Sequence, residues 1–88
     1  RDAEVVAWVL NASSGICECC EKPASFKRMN GSPFLEVHHL RRLADDGSDI
    51  VTNAIGICPN CHRELHYGVN RETILSSLYL KVLRLIIE

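Results

Sequence analysis

Two Cys-x-x-Cys pairs, Cys17/Cys20 and Cys58/Cys61, and two histidine pairs, the adjacent His38-His39 and the i, i+4 pair His62/His66, put eight metal-capable side chains into 88 residues. They divide by type, which suggests two metal sites with different jobs. Each short cysteine turn can offer two sulfurs to a tetrahedral ion, so Cys17, Cys20, Cys58 and Cys61 form a candidate four-thiolate zinc site, and the stretch between the pairs becomes a clamped loop. Four thiolates saturate zinc, so this site is expected to be structural. Cys19 is the extra candidate in Cys17-Glu18-Cys19-Cys20 and is left out, because Cys17/Cys20 repeats the spacing of Cys58/Cys61. The competing reading is a set of buried, inert thiols.

His62 and His66, four apart on a helix, project from one face and can share an ion. Adjacent residues of a regular strand face opposite sides, so His38 and His39 either have different roles or sit at a strand end. With His38, His62 and His66 as ligands, an ion keeps positions open for water and substrate. His39 is then free as a general base, which is a hydrolase's arrangement. The alternative makes one of the adjacent pair a hydrogen-bonded core residue. A zinc protease would want His-Glu-x-x-His. Here Arg63 follows His62, and Glu64 comes one place too late. Arg63 beside the ligands points instead to an anionic substrate, with phosphate the leading candidate.

The elements that must position these groups follow from periodicity and turn residues. Residues 3 to 13 carry apolar side chains at helical spacing, with Gly15 as a left-handed C-terminal cap. Residues 26 to 29 and 34 to 39 are expected to be strands joined through the turn Asn30-Gly31-Ser32-Pro33, giving a hairpin. Residues 44 to 49 form a polar loop, and 50 to 57 a short apolar run. Pro59 suits the first turn of a helix that carries His62 and His66 and stops at Gly68. A last helix is expected over Thr73 to Glu88, with Asn70 as N-cap. Its wide apolar face either packs on the first helix around Trp8 or forms a dimer or interdomain surface.

The length allows one domain, residues 1–88, small enough that a metal staple is a common aid to stability. The chain begins at Arg1 without Met, which suggests a piece of a longer protein. An odd cysteine count of five and no recognisable secretory signal favour a reduced, cytoplasmic setting over a disulfide framework. No apolar run reaches the roughly 18 residues of a membrane span. A net charge of −1 withholds the strongly basic signature of a nucleic-acid binder, although Lys27, Arg28, Arg41, Arg42, Arg63 and Arg71 gather in or near the Cys/His segment.

The run Leu35-Glu36-Val37-His38-His39-Leu40, then Asn53, then Cys58-Pro59-Asn60-Cys61-His62-Arg63-Glu64-Leu65-His66 closely resembles the HNH nuclease family. The resemblance covers residues 17 to 67. It implies an α+β fold, a small ββα-metal domain with a structural zinc and flanking N- and C-terminal helices. A hairpin would carry His38-His39 and a loop Asn53. By position, His39 matches the general base, His38 a metal ligand, Asn53 the loop-organising middle residue, His62 the ligand of the third signature position, and His66 an additional ligand found in part of the family.

The implied reaction is hydrolysis of a DNA phosphodiester to a 5′ phosphate and a 3′ hydroxyl, in restriction or DNA processing. Arg41, Arg42 or Arg63 would hold the phosphate, with a solvated surface role as the alternative for Arg41 and Arg42. Glu36, two residues before His38 on the same strand face, is a candidate to orient an imidazole. Imidazole ligands suit Mn²⁺ or Ni²⁺ better than Mg²⁺. DNA is the expected partner, with a homodimer through the C-terminal helix as the route to a double-strand cut. No reader of methylated bases or sequence is visible, so that role falls to a separate domain. The alternative class is a zinc-stabilised nucleic-acid or protein binding module without cleavage. Such a module has no use for one histidine pair facing another.

Overall fold

Helix α1 spans Ala3–Ser13 in the computed structural model, which describes residues 1–88. Asp2 caps its start, its carboxylate accepting from the Glu4 N–H at 2.8 Å, an arrangement whose loss typically costs about 1 kcal/mol. At the other end Ser14 and Gly15 are both left-handed, with φ of 52° and 78°. The cap is therefore Ser14, whose N–H reaches Asn11 O, and Gly15 continues the reversal.

The sheet differs from the expected hairpin. Strand β1, Glu36–His39, pairs antiparallel with β2, Ala54–Ile57, in the register Glu36↔Ile57 to His39↔Ala54. Residues 26 to 29 form no strand and contribute only an isolated bridge between Lys27 and Pro33. Phe26 stacks on Phe34 and the Arg28 guanidinium lies over Phe34, so this segment is held by side chains. The pairing of β1 with β2 wins because both strands are buried along almost their whole length. Two 3₁₀ turns, Leu43–Asp45 and Val51–Asn53, shape the connection between them.

α1 lies across β2 at Gly56. A Cβ there would collide with the Ser13 hydroxyl, so glycine is required for the helix to approach this closely. Val9, Val37 and Ala54 form a small core beneath α1. A larger one gathers Cys17, Leu35, Ile55, Ile57, Cys61, Leu65 and Leu78 around the cysteine cluster.

Helix α2, Pro59–Tyr67, starts with proline at its first turn and ends at Gly68 as its sequence indicates. Helix α3 covers Arg71–Lys81, well short of Glu88. Asn70 occupies its N-cap position but makes no side-chain capping bond. After Lys81 the chain turns back, and tertiary partners replace helical ones. The Ile86 N–H donates to Thr52 O, and Arg84 donates to Glu18, Val51 O and Ala54 O. The expected packing of α3 on α1 around Trp8 is not found: α3 packs against α2, and Trp8 is 49% exposed beneath the Arg84 guanidinium. No helix is long and apolar enough to cross a membrane.

Candidate metal centre and active site

The sulfurs of Cys17, Cys20, Cys58 and Cys61 lie within 4.8 Å of one another. A tetrahedral zinc with sulfurs at about 2.3 Å holds them roughly 3.8 Å apart, so a small contraction closes the site. Each pair is set by its own backbone: the Cys20 N–H donates to Cys17 Sγ at 3.4 Å and the Cys61 N–H to Cys58 Sγ at 3.4 Å. The Cys58 N–H also donates to Cys17 Sγ at 3.3 Å and joins the two turns.

Burial pushes the Cys17 thiol up, but N–H groups of Cys20, Cys58 and Cys19 outweigh it and bring the pKa down to about 7. Burial raises Cys58 and Cys61, with other thiols of the cluster adding to the rise. Four sulfurs this close resist carrying four charges unaided. A divalent cation supplies what they lack, and the set fits zinc. Cys19 stays outside the set, as its spacing indicates.

The imidazoles of His38, His62 and His66 converge in the same way, each offering a nitrogen within 4.8 Å of the others. Their rings stand 5.0 to 5.2 Å apart between centroids. His38 comes from the end of β1, and α2 brings the other two together from successive turns of one face. Burial first, and then the neighbouring histidines, depress His38 to about 3. Burial, His62 and the cations Arg42, Arg71 and Arg63 lower His66. Neutral imidazoles are what metal ligation requires. Glu36 Oε1 lies 2.9 Å from His62 Nδ1, so the carboxylate can orient that ring while Nε2 turns to an ion.

His39 is not part of the convergent set. Its Nε2 lies 2.8 Å from Asp49 Oδ1, while the ring still borders a cleft of about 160 Å³ shared with His38, His62, His66 and Arg42. The strand's alternation thus gives the two histidines different partners, and the strand's end brings both to one cleft. Asn53 is fully buried. Its amide donates to Arg41 O and Ser48 O at 2.9 Å each, and its oxygen accepts from the Arg41 N–H at 3.0 Å. It therefore clamps both ends of the loop that leads from β1 toward β2.

The three candidate phosphate ligands are differently placed. Arg41 Nε donates to Asp45 O and Arg42 Nε to the Asp45 carboxylate, yet both line a cleft of about 320 Å³ that also takes in His38, Arg71 and Tyr79. Arg63 is exposed and makes no hydrogen bond or ion pair, leaving its charge free. Two contributors have no signal in the sequence: Asp49 and the Glu18–Arg84 pair. Both depend on contacts between segments apart in sequence and have no local spacing signal.

A two-stranded sheet with a following helix, a four-cysteine cluster that could hold zinc and a convergent three-histidine set define a small ββα-metal nuclease domain. The HNH endonuclease family model matches residues 17–68. The chain belongs to the HNH endonuclease family.

It is 48% identical over 85 residues to the type IV methyl-directed restriction enzyme EcoKMcrA of Escherichia coli strain K12, a match covering 97% of this chain and 31% of that protein. Among solved structures, the type IV phosphorothioation-dependent restriction endonuclease ScoMcrA superposes with a TM-score of 0.82 at 32% identity, over 96% of this chain and 19% of that one. The modification-dependent TagI restriction endonuclease superposes with a TM-score of 0.66 at 27% identity, over 77% and 24%. The chain thus spans about a third or less of the relatives it matches.

Proposed function

We propose that this domain hydrolyses DNA phosphodiesters, with His39 as general base and His38, His62 and His66 holding one divalent ion. The observation that carries the reading is the convergence of three imidazoles beside a fourth that is tied elsewhere. When bound, the ion supplies positive charge to the phosphate and to the leaving oxygen. His39 takes the proton from the attacking water, and Asn53 keeps the loop around it in place. Arg42, Arg63 and Arg71, whose fields all reach His66, draw the phosphate toward the site. The four cysteines hold zinc and fasten the start of α2. Products are a 5′ phosphate and a 3′ hydroxyl.

The substrate is inferred to be modified DNA, since the three relatives are named methyl-directed, phosphorothioation-dependent and modification-dependent restriction enzymes. A pair of chains would cut both strands, and Leu80, Leu83, Ile86 and Ile87, exposed on and after α3, offer the apolar surface for pairing. Work in a reducing cytoplasm suits the thiolate cluster.

Plasmid cleavage by the wild type and His39→Ala in Mg²⁺, Mn²⁺ and Ni²⁺ tests the proposal. Cleavage in Mn²⁺ or Ni²⁺ at least equal to that in Mg²⁺, abolished in His39→Ala with DNA affinity kept, is expected. Clear superiority of Mg²⁺ would overturn the three-histidine site, and cleavage by the variant would overturn the base. DNA binding by a wild type that cuts in none of the metals would favour the binding module.

A further inference from the structure

Asp49 belongs to none of the metal sets, yet its place is closely determined. Its Oδ1 lies 2.8 Å from His39 Nε2, and its Oδ2 accepts from the Asp2 N–H. The residue before it, Ser48, has its carbonyl held by the Asn53 amide and its N–H held by Glu88. Gly47 turns the loop against the backbone of Arg41 and Arg42, where a side chain would collide with carbonyl oxygens. The buried Asn53 therefore controls where Asp49 sits.

The His39 side chain is only 4% exposed, and Asp49 is its one side-chain partner. No buried side-chain nitrogen in the chain lacks a hydrogen bond. The second ring nitrogen, Nδ1, makes none, so it meets open space, and the open space beside His39 is the cleft of the three ligand histidines.

We infer that Asp49 is the positioning carboxylate of the nuclease, accepting the Nε2–H of His39 and so fixing the tautomer whose Nδ1 lone pair faces the cleft. The assignment rests on the reading of His39 as the base. It extends that reading to a loop carboxylate ten residues along the chain. In the reaction the water proton passes to Nδ1 and the water oxygen bonds to phosphorus. The bond from phosphorus to the 3′ oxygen breaks, and that oxygen takes a proton from solvent. The imidazolium so formed keeps its bond to Asp49. Asp49 itself touches neither water nor phosphate.

The logic parallels that of the carboxylate in a serine hydrolase triad, where asparagine in its place favours the wrong tautomer and lowers turnover by about 10⁴-fold. In Asp49→Asn the side-chain amide can donate to Nε2 and move the ring proton to Nδ1, where it blocks the base.

The test uses the full chain, zinc-loaded, as wild type, Asp49→Asn, Asp49→Glu and His39→Ala. Single-turnover cleavage, DNA affinity, Ni²⁺ affinity and the ring ¹⁵N shifts of His39 are measured. Asp49→Asn is expected to cut at least about 10²-fold more slowly, with DNA and Ni²⁺ affinities within about threefold of wild type and a changed His39 tautomer. Asp49→Glu should recover part of the rate, which loss of loop structure alone would not permit.

Cleavage by Asp49→Asn within about threefold of wild type, or an unchanged His39 tautomer, would overturn the assignment while leaving His39 as base. A rate loss matched by loss of DNA or metal affinity would also overturn it. Cleavage by His39→Ala would instead remove His39 as base, no cleavage by the wild type would remove the nuclease reading, and this assignment would fall with either.

Discussion

Replacing Asn53 separates loop architecture from metal chemistry. The side chain is fully buried and makes three hydrogen bonds, two donated to the carbonyls of Arg41 and Ser48 and one accepted from the Arg41 N–H. In Asn53→Ala all three are lost at about 1 kcal/mol each, and water reaching the exposed loop limits the further cost of unpaired backbone groups, so the variant should lose about 3 kcal/mol. For a domain of this size that corresponds to a fall in Tm of roughly 15 °C.

Asn53→Asp keeps the shape and the acceptor but sets a carboxylate oxygen against two carbonyls, at a position where the side chain itself is fully buried. It should be at least as damaging as alanine. Both variants leave the seven candidate metal ligands intact. Thermal unfolding in constant excess zinc, which holds the metal's contribution fixed, is the assay. A loss below about 1 kcal/mol for alanine, or an aspartate variant milder than alanine, would refute the clamp.

Cys58→Ser should lose zinc and tertiary structure together, and a folded, metal-free variant by circular dichroism and elemental analysis would contradict this. The Glu18–Arg84 pair, at 2.7 Å with both side chains under 20% exposed, should make Arg84→Met costly by about 2–3 kcal/mol in urea unfolding, because it strands Glu18. Glu18→Gln with Arg84→Met should recover part of that loss, and a double variant no better than the single one would count against stranding. The metal-free protein should also weaken in acid. With a folded pKa of about 3 against 6.5 unfolded, His38 leaves the unfolded chain the better proton binder, so its contribution is complete above about pH 6.5 and falls away toward pH 3, by about 2 kcal/mol at pH 5. His38→Gln should remove that slope in denaturation measured across the range.

What could be read from the amino-acid order was what depends on short spacing. Ligand pairs three or four residues apart identified the cysteine and helical histidine sets, because their geometry is local. α1 and α2 were legible for the same reason, each carrying its own cap and its own apolar period. The strand partner of β1 was not, since residues 26 to 29 offer a plausible hairpin and only burial in the core selects Ala54–Ile57. Helical periodicity after Lys81 was equally persuasive, yet Arg84 finds Glu18 across 66 residues and draws the chain off the helix. Asp49 lay in a segment that composition marks only as a polar loop. Its significance comes from Asn53 and His39, which the fold brings to it.

Cys61 and His62 are consecutive residues at the start of α2. The two candidate metal sets therefore share one turn of helix, and filling the first would steady the second. If only chains with filled cysteines are competent to bind an ion at the histidines, its apparent affinity scales with that fraction, so at one-tenth zinc occupancy it would bind about tenfold more weakly. On the proposed function the arrangement would act as a lock with two keys taken in order. A chain short of zinc would be a poor nuclease, and a shortage of one metal would weaken chemistry assigned to another.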